Sequence, residues 1–295
     1  MSDSCPTAAV RFVGRACFAG GMIDEFLAHG LPDVEEAVRK AAAIEIMPRF
    51  RQLAEHEVDQ KSGPHDLVTV ADRKAEEHLT ASLTRLLPGS VVVGEEAVHA
   101  DPAVYEALRA DAPVWIVDPV DGTRQFVNGD PAFCTLVALA LRGEMLASWT
   151  FAPALEELAT AVHGQGAYVN GHRIRSGSPE PGADLRVATA HPLYTSDENK
   201  RTLARLDVPG IAARPCGSAG LEYLKVARGE MDALAFTWPS AWDHAAGLLL
   251  VAESGGAQST VEGVPFRVDR DNALPFAVGR DEATAVRVRD LLRGA

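Results

Sequence analysis

The sequence predicts an α/β protein, and two features of its apolar pattern support this. Apolar residues recur at helical spacing near the N-terminus and then give way to short β-rich runs between positions 91 and 151. Beyond position 185, strand-like and helix-like segments alternate along the chain. Such alternation is typical of folds in which helices pack on the faces of a sheet. With 295 residues, the chain can form two modest domains or one large one.

The first half of the chain begins with helices and continues as sheet. Residues 34–47 follow a helical period that Pro48 should kink or end, and a second amphipathic helix follows Asp72 and stops before Pro88. The predicted strands then span 91–93, 114–117, 133–141 and 145–151. Residues 1–32 show no clear period, so no element is predicted there.

The second half is predicted as alternating strands and helices. In order, these are a strand near 185–190, a helix near 218–228, a strand at 232–236, a helix at 243–254, a strand at 273–278 and a helix at 281–293. A cluster of Pro, Gly and Ser at 176–184 precedes them and marks a candidate boundary. The prediction is therefore an N-terminal extension of unknown order (1–32), an α+β half (33–182) and an α/β half (183–295).

The composition argues against several classes of function. Lys and Arg total 28 against 41 Asp and Glu, which gives a formal net charge of −13, and no basic stripe is present. An acidic surface of this kind repels nucleic acid. No apolar stretch approaches the roughly 20 residues that span a bilayer, the N-terminus lacks a signal-peptide pattern, and the four cysteines show no paired spacing. We expect a cytoplasmic protein with reduced cysteines and no nucleic-acid or membrane partner.

Three acidic segments lie at the ends of predicted elements. Glu95 follows one predicted strand, Asp118 and Asp121 follow the next, and Asp243 opens a helix. Ligand sites in α/β proteins gather at the carboxyl ends of strands, so these carboxylates can converge on one pocket. Clustered carboxylates repel one another, and a bound divalent cation would balance them. An all-oxygen set favours Mg²⁺, although turn chemistry explains each segment when it is taken alone.

The segment DPVDGT at 118–123 also indicates a phosphate site. Gly122 permits close approach of a ligand, and Thr123 stands at the apparent start of a helix, where free backbone N–H groups bind anions. In a protein of this negative charge, the positive field at such a site must come from cations and backbone dipoles. The sequence therefore predicts that Gly122 and Thr123 bind phosphate.

Five ordered segments resemble those of the inositol monophosphatase family. They are DLVTVADRKAE (66–76), VVVGEEAV (91–98), WIVDPVDGTRQF (115–126), RPCGSAGLEYLKVARGEMDA (214–233) and WDHAAGLLLVAESGG (242–256). The resemblance implies alternating helix and sheet layers in the sugar-phosphatase fold. It also implies a homodimer and a Mg²⁺-dependent phosphomonoesterase that hydrolyses a small phosphorylated metabolite. Mn²⁺ as a substitute ion and inhibition by Li⁺ are further expectations from the family.

The resemblance assigns roles to individual residues. The ligands of two or three Mg²⁺ ions would be Glu95, Asp118, the carbonyl oxygen of Val120, Asp121 and Asp243. Thr123 and Asp72 match the catalytic pair that orients and deprotonates the attacking water in that family, with Glu95 assisting through the metal it holds. The implied reaction is an in-line displacement without a covalent phosphoenzyme. Asp72 also has a structural interpretation, because with Thr69 it resembles a helix capping box.

The substrate side departs from the family pattern. The resemblance places Ser218, Ala219 and Phe236 against the substrate, and Phe236 occupies the position of a glutamate that binds inositol hydroxyls. A phenyl ring facing the substrate would argue against inositol monophosphate, whereas a ring that only packs would leave it open. Histidinol phosphate is the first alternative, because Arg124 follows DGT, ahead of fructose 1,6-bisphosphate and 3′-phosphoadenosine 5′-phosphate. A non-catalytic metal- and phosphate-binding protein is the alternative of a different class.

Some neighbouring residues are not predicted as ligands. Lys61 matches a lysine often found near this site in the family, but a loop lysine is usually solvated. Glu96 is not expected to be a main ligand, and Trp242 and His244 are expected to be structural.

Overall fold

Helices and strands alternate along residues 21–61, 63 and 65–294, which are the residues described by the computed structural model. The first half contains α1 (21–29), α2 (Leu31–Ala41), β1 (Val58–Gln60), β2 (Leu67–Thr69), α3 (Val70–Leu86), β3 (Val91–Gly94), α4 (Glu95–Ala100), β4 (Pro113–Asp121), α5 (Thr123–Val127), β5 (Cys134–Leu141), β6 (Glu144–Ala152), β7 (Glu157–Val162), β8 (Gly166–Val169) and β9 (His172–Ile174). The second half contains β10 (Leu185–Thr189), α6 (Asp197–Leu203), β11 (Ile211–Pro215), α7 (Ala219–Ala227), β12 (Ala233–Phe236), α8 (Ala241–Ser254), β13 (Ala257–Thr260), β14 (Phe276–Gly279) and α9 (Glu282–Arg293).

Two large sheets form the framework of the molecule. The first contains β3 to β9 in sequence order, and its strands are antiparallel except for the parallel pair β3 and β4. The second has the order β11-β10-β12-β14-β13, with β10, β11 and β12 parallel and the other pairs antiparallel. The short strands β1 and β2 pair with each other ahead of α3.

The helices form layers on both sheets. Helices α2 and α3 pack on one face of the seven-stranded sheet, where Val34 and Leu79 share a buried cluster with Trp115. Helices α7 and α8 pack between the sheets, in a core that contains both Tyr223 and Phe276. Helix α9 covers the outer face of the five-stranded sheet. The predicted α/β fold of alternating helix and sheet layers is confirmed.

The N-terminal extension, for which the sequence predicts no element, contains a helix in its described part. Helix α1 lies within it and buries Ile23 and Phe26, and the Phe26 ring contacts Trp115 at a centroid distance of 5.7 Å. So few buried positions leave a weak periodic signal, which is why the pattern did not predict this helix. Residues 1–20 lie outside the described residues. The boundary predicted at 176–184 falls between the last strand of one sheet and the first of the other, and the division into two domains stays a prediction.

Two sequence expectations concern cysteines and membrane segments. Cys134 and Cys216 are buried and free, while Cys5 and Cys17 lie outside the described residues. Among the helices that the structure describes, none combines the length and the apolar character needed to cross a membrane.

Candidate metal centre

The end of β4 brings two of the predicted ligands together. Its pairing with β5 is regular up to Asp118 and shifts before Asp121. In a regular strand, side chains three positions apart point to opposite faces of the sheet. The irregularity at Pro119 and Val120 acts as a β-bulge and breaks that alternation. The carboxylates of Asp118 and Asp121 can therefore approach each other.

Asp243 completes the cluster from the first turn of α8. One carboxylate oxygen from each of Asp118, Asp121 and Asp243 lies within 4.8 Å of the other two. Asp118 and Asp121 are buried, and Asp243 is partly buried. Three carboxylates at this spacing could hold a divalent cation between them. The structure thus confirms that these side chains converge, and their role as ligands stays a prediction.

The carboxylate of Asp121 is held by the N-terminal end of α7. Its Oδ2 accepts hydrogen bonds from Ser218 Oγ and from Gly220 N at 2.7 Å, and its Oδ1 accepts from Ala219 N at 3.1 Å. The Cys134 thiol is a further donor at 3.4 Å. A Cβ at Gly220 would lie 2.5 Å from Leu136 Cδ2 and 2.7 Å from Cys134 Sγ, so a larger residue would force these side chains to move.

These contacts differ from the substrate contacts predicted for Ser218 and Ala219. Both residues are buried, with 2% and 4% of their surface exposed. The Ser218 hydroxyl donates to Asp121 and also accepts from Leu221 N at 3.3 Å as the N-cap of α7. The structure therefore shows Ser218 and Ala219 in contact with Asp121, and their contact with a substrate stays a prediction.

Thr123 links the cluster to α3. It begins α5 directly after Gly122, whose φ of +90° favours glycine. The Thr123 hydroxyl lies 3.0 Å from Val120 O and 3.2 Å from Asp72 Oδ1, and its one proton can be donated to only one of them at a time. Asp72 Oδ2 accepts from Thr69 N at 2.8 Å in the capping box of α3. Asp72 therefore both caps α3 and contacts Thr123.

Glu95 lies beside the three aspartates and forms an ion pair. Lys61 Nζ is 2.7 Å from Glu95 Oε1 and 2.6 Å from Glu96 Oε1. The Lys61 side chain is only 5% exposed, so it is not the solvated loop lysine that the sequence suggested. Burial lowers the pKa of Lys61, but Glu95 and Glu96 raise it more, and the ammonium stays charged. Glu76 fixes the start of α4 by accepting from Glu96 N at 2.8 Å and Ala97 N at 2.7 Å.

A buried hydrogen-bonded group lies behind Asp243. Trp238 Nε1 donates to Asp243 Oδ2 at 2.9 Å, a contact that the sequence analysis missed. His244 Nε2 lies 3.0 Å from Trp238 O, and Tyr223 OH lies 3.1 Å from His244 Nδ1. Because a carbonyl only accepts, Nε2 carries the proton and Nδ1 accepts from Tyr223. Burial lowers the pKa of His244 to about 3, so the ring is neutral.

Phe236 lies in the core beside this group. It is fully buried, and its ring centroid lies 4.5 Å from that of Trp238 and 5.4 Å from that of His244. A side chain with no exposed surface cannot contact a substrate in this conformation. Of the two interpretations of Phe236, the structure supports the one in which the ring only packs.

Burial and mutual repulsion disfavour the charges of the cluster. Burial raises the pKa of Asp118 well above its ordinary value, and Glu95, Asp121 and Asp243 raise it further. The same causes act on Asp243. For Asp121, burial outweighs the hydrogen bonds from Ser218 and α7, and the pKa is again raised. A cation between these groups would restore their ionised forms.

Fold and site together define a layered α/β protein with a buried carboxylate centre suited to a divalent cation. The model of the inositol monophosphatase family matches residues 31–286, which is most of the chain. The protein belongs to that family. It is therefore a phosphatase, a hydrolase that acts on a phosphorylated small molecule.

Individual relatives support this assignment. An inositol-1-monophosphatase of Mesorhizobium japonicum is 37% identical over 219 residues, which cover 72% of this chain and 79% of the relative. One from Rhizobium meliloti is 39% identical over 207 residues, covering 68% and 74%. Among solved structures, the extragenic suppressor protein suhB from Bartonella henselae superposes with a TM-score of 0.76 at 28% identity, covering 89% of this chain and 98% of that one. An IMPase from Thermotoga maritima gives 0.72 at 27% identity, covering 88% and 94%.

Proposed function

We propose that the protein is a Mg²⁺-dependent phosphomonoesterase that releases inorganic phosphate from a small phosphorylated metabolite. The observation that carries this proposal is the convergence of three aspartate oxygens within 4.8 Å at the ends of β4 and α8. Membership of the inositol monophosphatase family supports it.

The donor set fits a hard divalent cation. Among the described residues, the groups of this type that converge are all carboxylates, without His or Cys in the set. Oxygen-only sites of this kind suit Mg²⁺, with Mn²⁺ as a substitute. The raised pKa of each aspartate points the same way, because these buried groups lack a positive partner strong enough to keep them all ionised. The residues proposed to hold two or three Mg²⁺ ions are Glu95, Asp118, the carbonyl oxygen of Val120, Asp121 and Asp243.

In the proposed reaction, water attacks phosphorus in line with the ester oxygen, the P–O bond to that oxygen breaks, and an alcohol leaves. When bound, the ions would polarise the phosphoryl oxygens, neutralise charge and lower the pKa of water. The chain supplies positions for these groups: α7 fixes Asp121, Trp238 fixes Asp243, and Lys61 holds Glu95. Lys61 must release or share Glu95 when a cation binds there, since both positive groups use the same carboxylate.

Thr123 and Asp72 are proposed to handle the proton of the attacking water. A Thr123 hydroxyl that donates to Asp72 keeps its lone pairs free to accept a hydrogen bond from water. Burial is the main reason that the pKa of Asp72 rises to about 7, so this carboxylate can take up a proton near neutral pH. The backbone of Gly122 and Thr123 is proposed to contact the phosphate.

The direct test is phosphate release from a panel of phosphomonoesters, with Mg²⁺ and then with EDTA. The panel contains inositol 1-phosphate, histidinol phosphate, fructose 1,6-bisphosphate, 3′-phosphoadenosine 5′-phosphate and glycerol phosphates. Turnover that requires Mg²⁺ would support the proposal, and inhibition by Li⁺ is expected with it. Absence of hydrolysis with either Mg²⁺ or Mn²⁺ would instead favour a metal- and phosphate-binding protein without catalysis. Homodimeric assembly and a cytoplasmic location stay predictions.

Trp238→Phe is expected to weaken the binding of Mn²⁺ by about tenfold, a typical effect of losing a hydrogen bond to a metal ligand. The variant removes the N–H that holds Asp243 but keeps an aromatic ring against Phe236 and His244. Titration followed by electron paramagnetic resonance measures the dissociation constant directly. Trp242→Phe is the matched control, because the Trp242 ring packs edge-on against Tyr105 at 5.9 Å. Equal affinities in the two variants would contradict a role for Trp238 in positioning Asp243.

The metal-free protein is expected to lose stability between pH 5 and pH 8. Burial is the main reason that the pKa values of Asp72 and Glu76 rise to about 7, above their unfolded values of 3.8 and 4.5. Groups with raised carboxyl pKa values stabilise the fold at low pH, and this contribution is lost as the pH rises through 7. We expect the free energy of unfolding in EDTA to fall by about 2 kcal/mol or more.

Urea denaturation at pH 5, 6, 7 and 8 measures this change. Asp232, Asp269 and Asp281 have lowered pKa values, so their opposite contribution is confined to more acidic pH. The pKa of His244 is lowered from 6.5 to about 3, so this neutral ring adds stability as the pH rises from 5 to 6.5, and the two raised carboxyl groups together outweigh it. Excess Mg²⁺ should raise the free energy of unfolding more at pH 8 than at pH 5, because the ion binds the ionised form of the aspartate cluster. A free energy of unfolding that stays constant or rises in EDTA from pH 5 to pH 8 would contradict the raised pKa values of Asp72 and Glu76.

A further inference from the structure

Arg124 lies at the edge of the metal centre with an unusual neighbour. It follows Thr123 directly, and its Nη2 lies 3.1 Å from Nε2 of His191. Both side chains are partly exposed, so a small molecule can reach them. An arginine in such a position commonly pairs with a carboxylate, yet here the group in contact is an imidazole.

The protonation of His191 depends on its other contact. The backbone N–H of Leu193 donates to His191 Nδ1 at 3.2 Å, in the turn that follows β10. A neutral imidazole has one lone pair, so it can accept from Leu193 N or from Arg124 Nη2, but not from both. The pKa of His191 is lowered, first by burial and then by the positive charge of Arg124, which favours this neutral form.

One N–H group of this set is therefore left without an acceptor. When Nδ1 accepts from Leu193 N, Nε2 carries the proton and faces Arg124 Nη2, which is a second donor. An oxygen that hydrogen-bonds to both nitrogens would favour this tautomer, because it supplies the acceptor that the two donors lack. A negatively charged oxygen is the best acceptor for a pair that contains a guanidinium.

Arg124 and His191 are each connected to the carboxylate cluster through neighbouring residues. Arg124 is three residues after Asp121. Cys216 N donates at 2.8 Å to the carbonyl oxygen of Thr189, two residues before His191, and Ser218, two residues after Cys216, donates to Asp121. A metabolite with its phosphate at the cluster can therefore present its leaving group to Arg124 and His191.

We propose that Arg124 and His191 bind an anionic group on the leaving-group side of the substrate. This inference rests on the proposed phosphomonoesterase function and narrows its substrate class. The preferred ester carries a carboxylate or a second phosphate in addition to the phosphate that is cleaved. A neutral polyol gains less from the pair, and a cationic leaving group such as histidinol is repelled by Arg124.

Two matched pairs of esters test the inference. 3-Phosphoglycerate differs from glycerol 3-phosphate by a carboxylate in place of a hydroxymethyl group, and fructose 1,6-bisphosphate differs from fructose 1-phosphate by one phosphate. In the wild type, kcat/KM should be about tenfold or more higher for the anionic member of at least one pair, the usual scale for charged hydrogen bonds. The pair that shows the preference distinguishes carboxylate from phosphate recognition.

Arg124→Gln is expected to reduce that ratio towards one, mainly through KM, and His191→Phe should reduce it as well. Arg214→Gln is the matched control, because it removes one positive charge that is already paired with Glu222 at 2.7 Å. It should keep the wild-type ratio within about twofold, as expected for a screened surface charge. Thermal melting of each variant with Mg²⁺ present shows whether it is folded.

Several results would overturn the inference: no preference for either anionic ester in the wild type, a preference unaffected by Arg124→Gln, or an equal loss in Arg214→Gln. Failure of the proposed function looks different, because then no ester releases phosphate in any variant. In that event, titration calorimetry with 3-phosphoglycerate and glycerol 3-phosphate still measures whether wild type binds the anionic ester more tightly than Arg124→Gln does. Equal dissociation constants there would count against the donor pair.

Discussion

Asp118→Asn should reduce Mg²⁺-dependent phosphate release by about a thousandfold or more, a loss typical of removing a group that binds a catalytic ion. The amide that replaces the carboxylate carries no charge, so the cluster loses one of its three converging anionic groups. The same variant should melt at a higher temperature than the wild type in EDTA. Burial and the negative charges of Glu95, Asp121 and Asp243 disfavour an ionised Asp118, and the substitution relieves both costs.

These opposite changes separate a site defect from a folding defect. Initial rates at saturating Mg²⁺ measure the first effect, and melting curves in EDTA measure the second. Asp111→Asn is a suitable control, because the Asp111 side chain is 86% exposed in its ion pair with Arg142, and exposed pairs of this kind contribute little. Wild-type turnover in Asp118→Asn would reject the metal centre, and a lower melting temperature in EDTA would reject the repulsion argument.

Asp232→Ala should lower the free energy of unfolding by about 2–3 kcal/mol, far more than the removal of an exposed carboxylate. The Asp232 carboxylate is buried directly before β12 and accepts from Arg186 N at 2.8 Å, Arg186 Nε at 2.9 Å and Arg280 Nη1 at 3.0 Å. Burial would raise the pKa of Asp232, but these hydrogen bonds lower it overall. Alanine leaves the backbone N–H and two guanidinium groups without this acceptor, at the junction of β10, β12 and β14.

Urea denaturation with Mg²⁺ present measures the loss for Asp232→Ala. Asp197→Ala provides the comparison, because its carboxylate is 85% exposed and pairs with Lys200 on the same helix at 3.1 Å. That control should change the free energy of unfolding by no more than about 0.5 kcal/mol. If both variants had the same stability, the buried carboxylate would not be holding the five-stranded sheet together.

The position of the carboxylate cluster could be predicted from local pattern. Asp118 and Asp121 follow a run of buried β-branched residues, and Asp243 precedes a run of apolar residues at helical spacing, so each lies at the end of an element. Elements that end at the same edge bring such side chains together. The bulge that turns Asp118 and Asp121 towards each other is also local, since Pro119 cannot donate to the strand ladder.

The contacts around that cluster could not be predicted in the same way. Ser218 and Ala219 contact Asp121 only because α7 packs between two sheets, and that packing depends on residues distributed over the whole chain. The hydrogen bond from Trp238 to Asp243 depends on how one loop folds over α8, and no periodic pattern specifies a loop. Phe236 shows the same limit, because its place in the sequence matches a substrate contact while its burial depends on the packing around it.

The neutral ring of His244 affects how a pH–rate profile of this phosphatase should be interpreted. Activity that falls as the pH decreases from 8 to 6 is ordinarily attributed to protonation of a histidine next to the reacting groups. His244 adjoins Asp243 in the chain, yet its pKa of about 3 places its titration far below that range. An acid limb near pH 7 would therefore not report His244, and Asp72, whose pKa lies at about 7, is the first group to which it should be assigned.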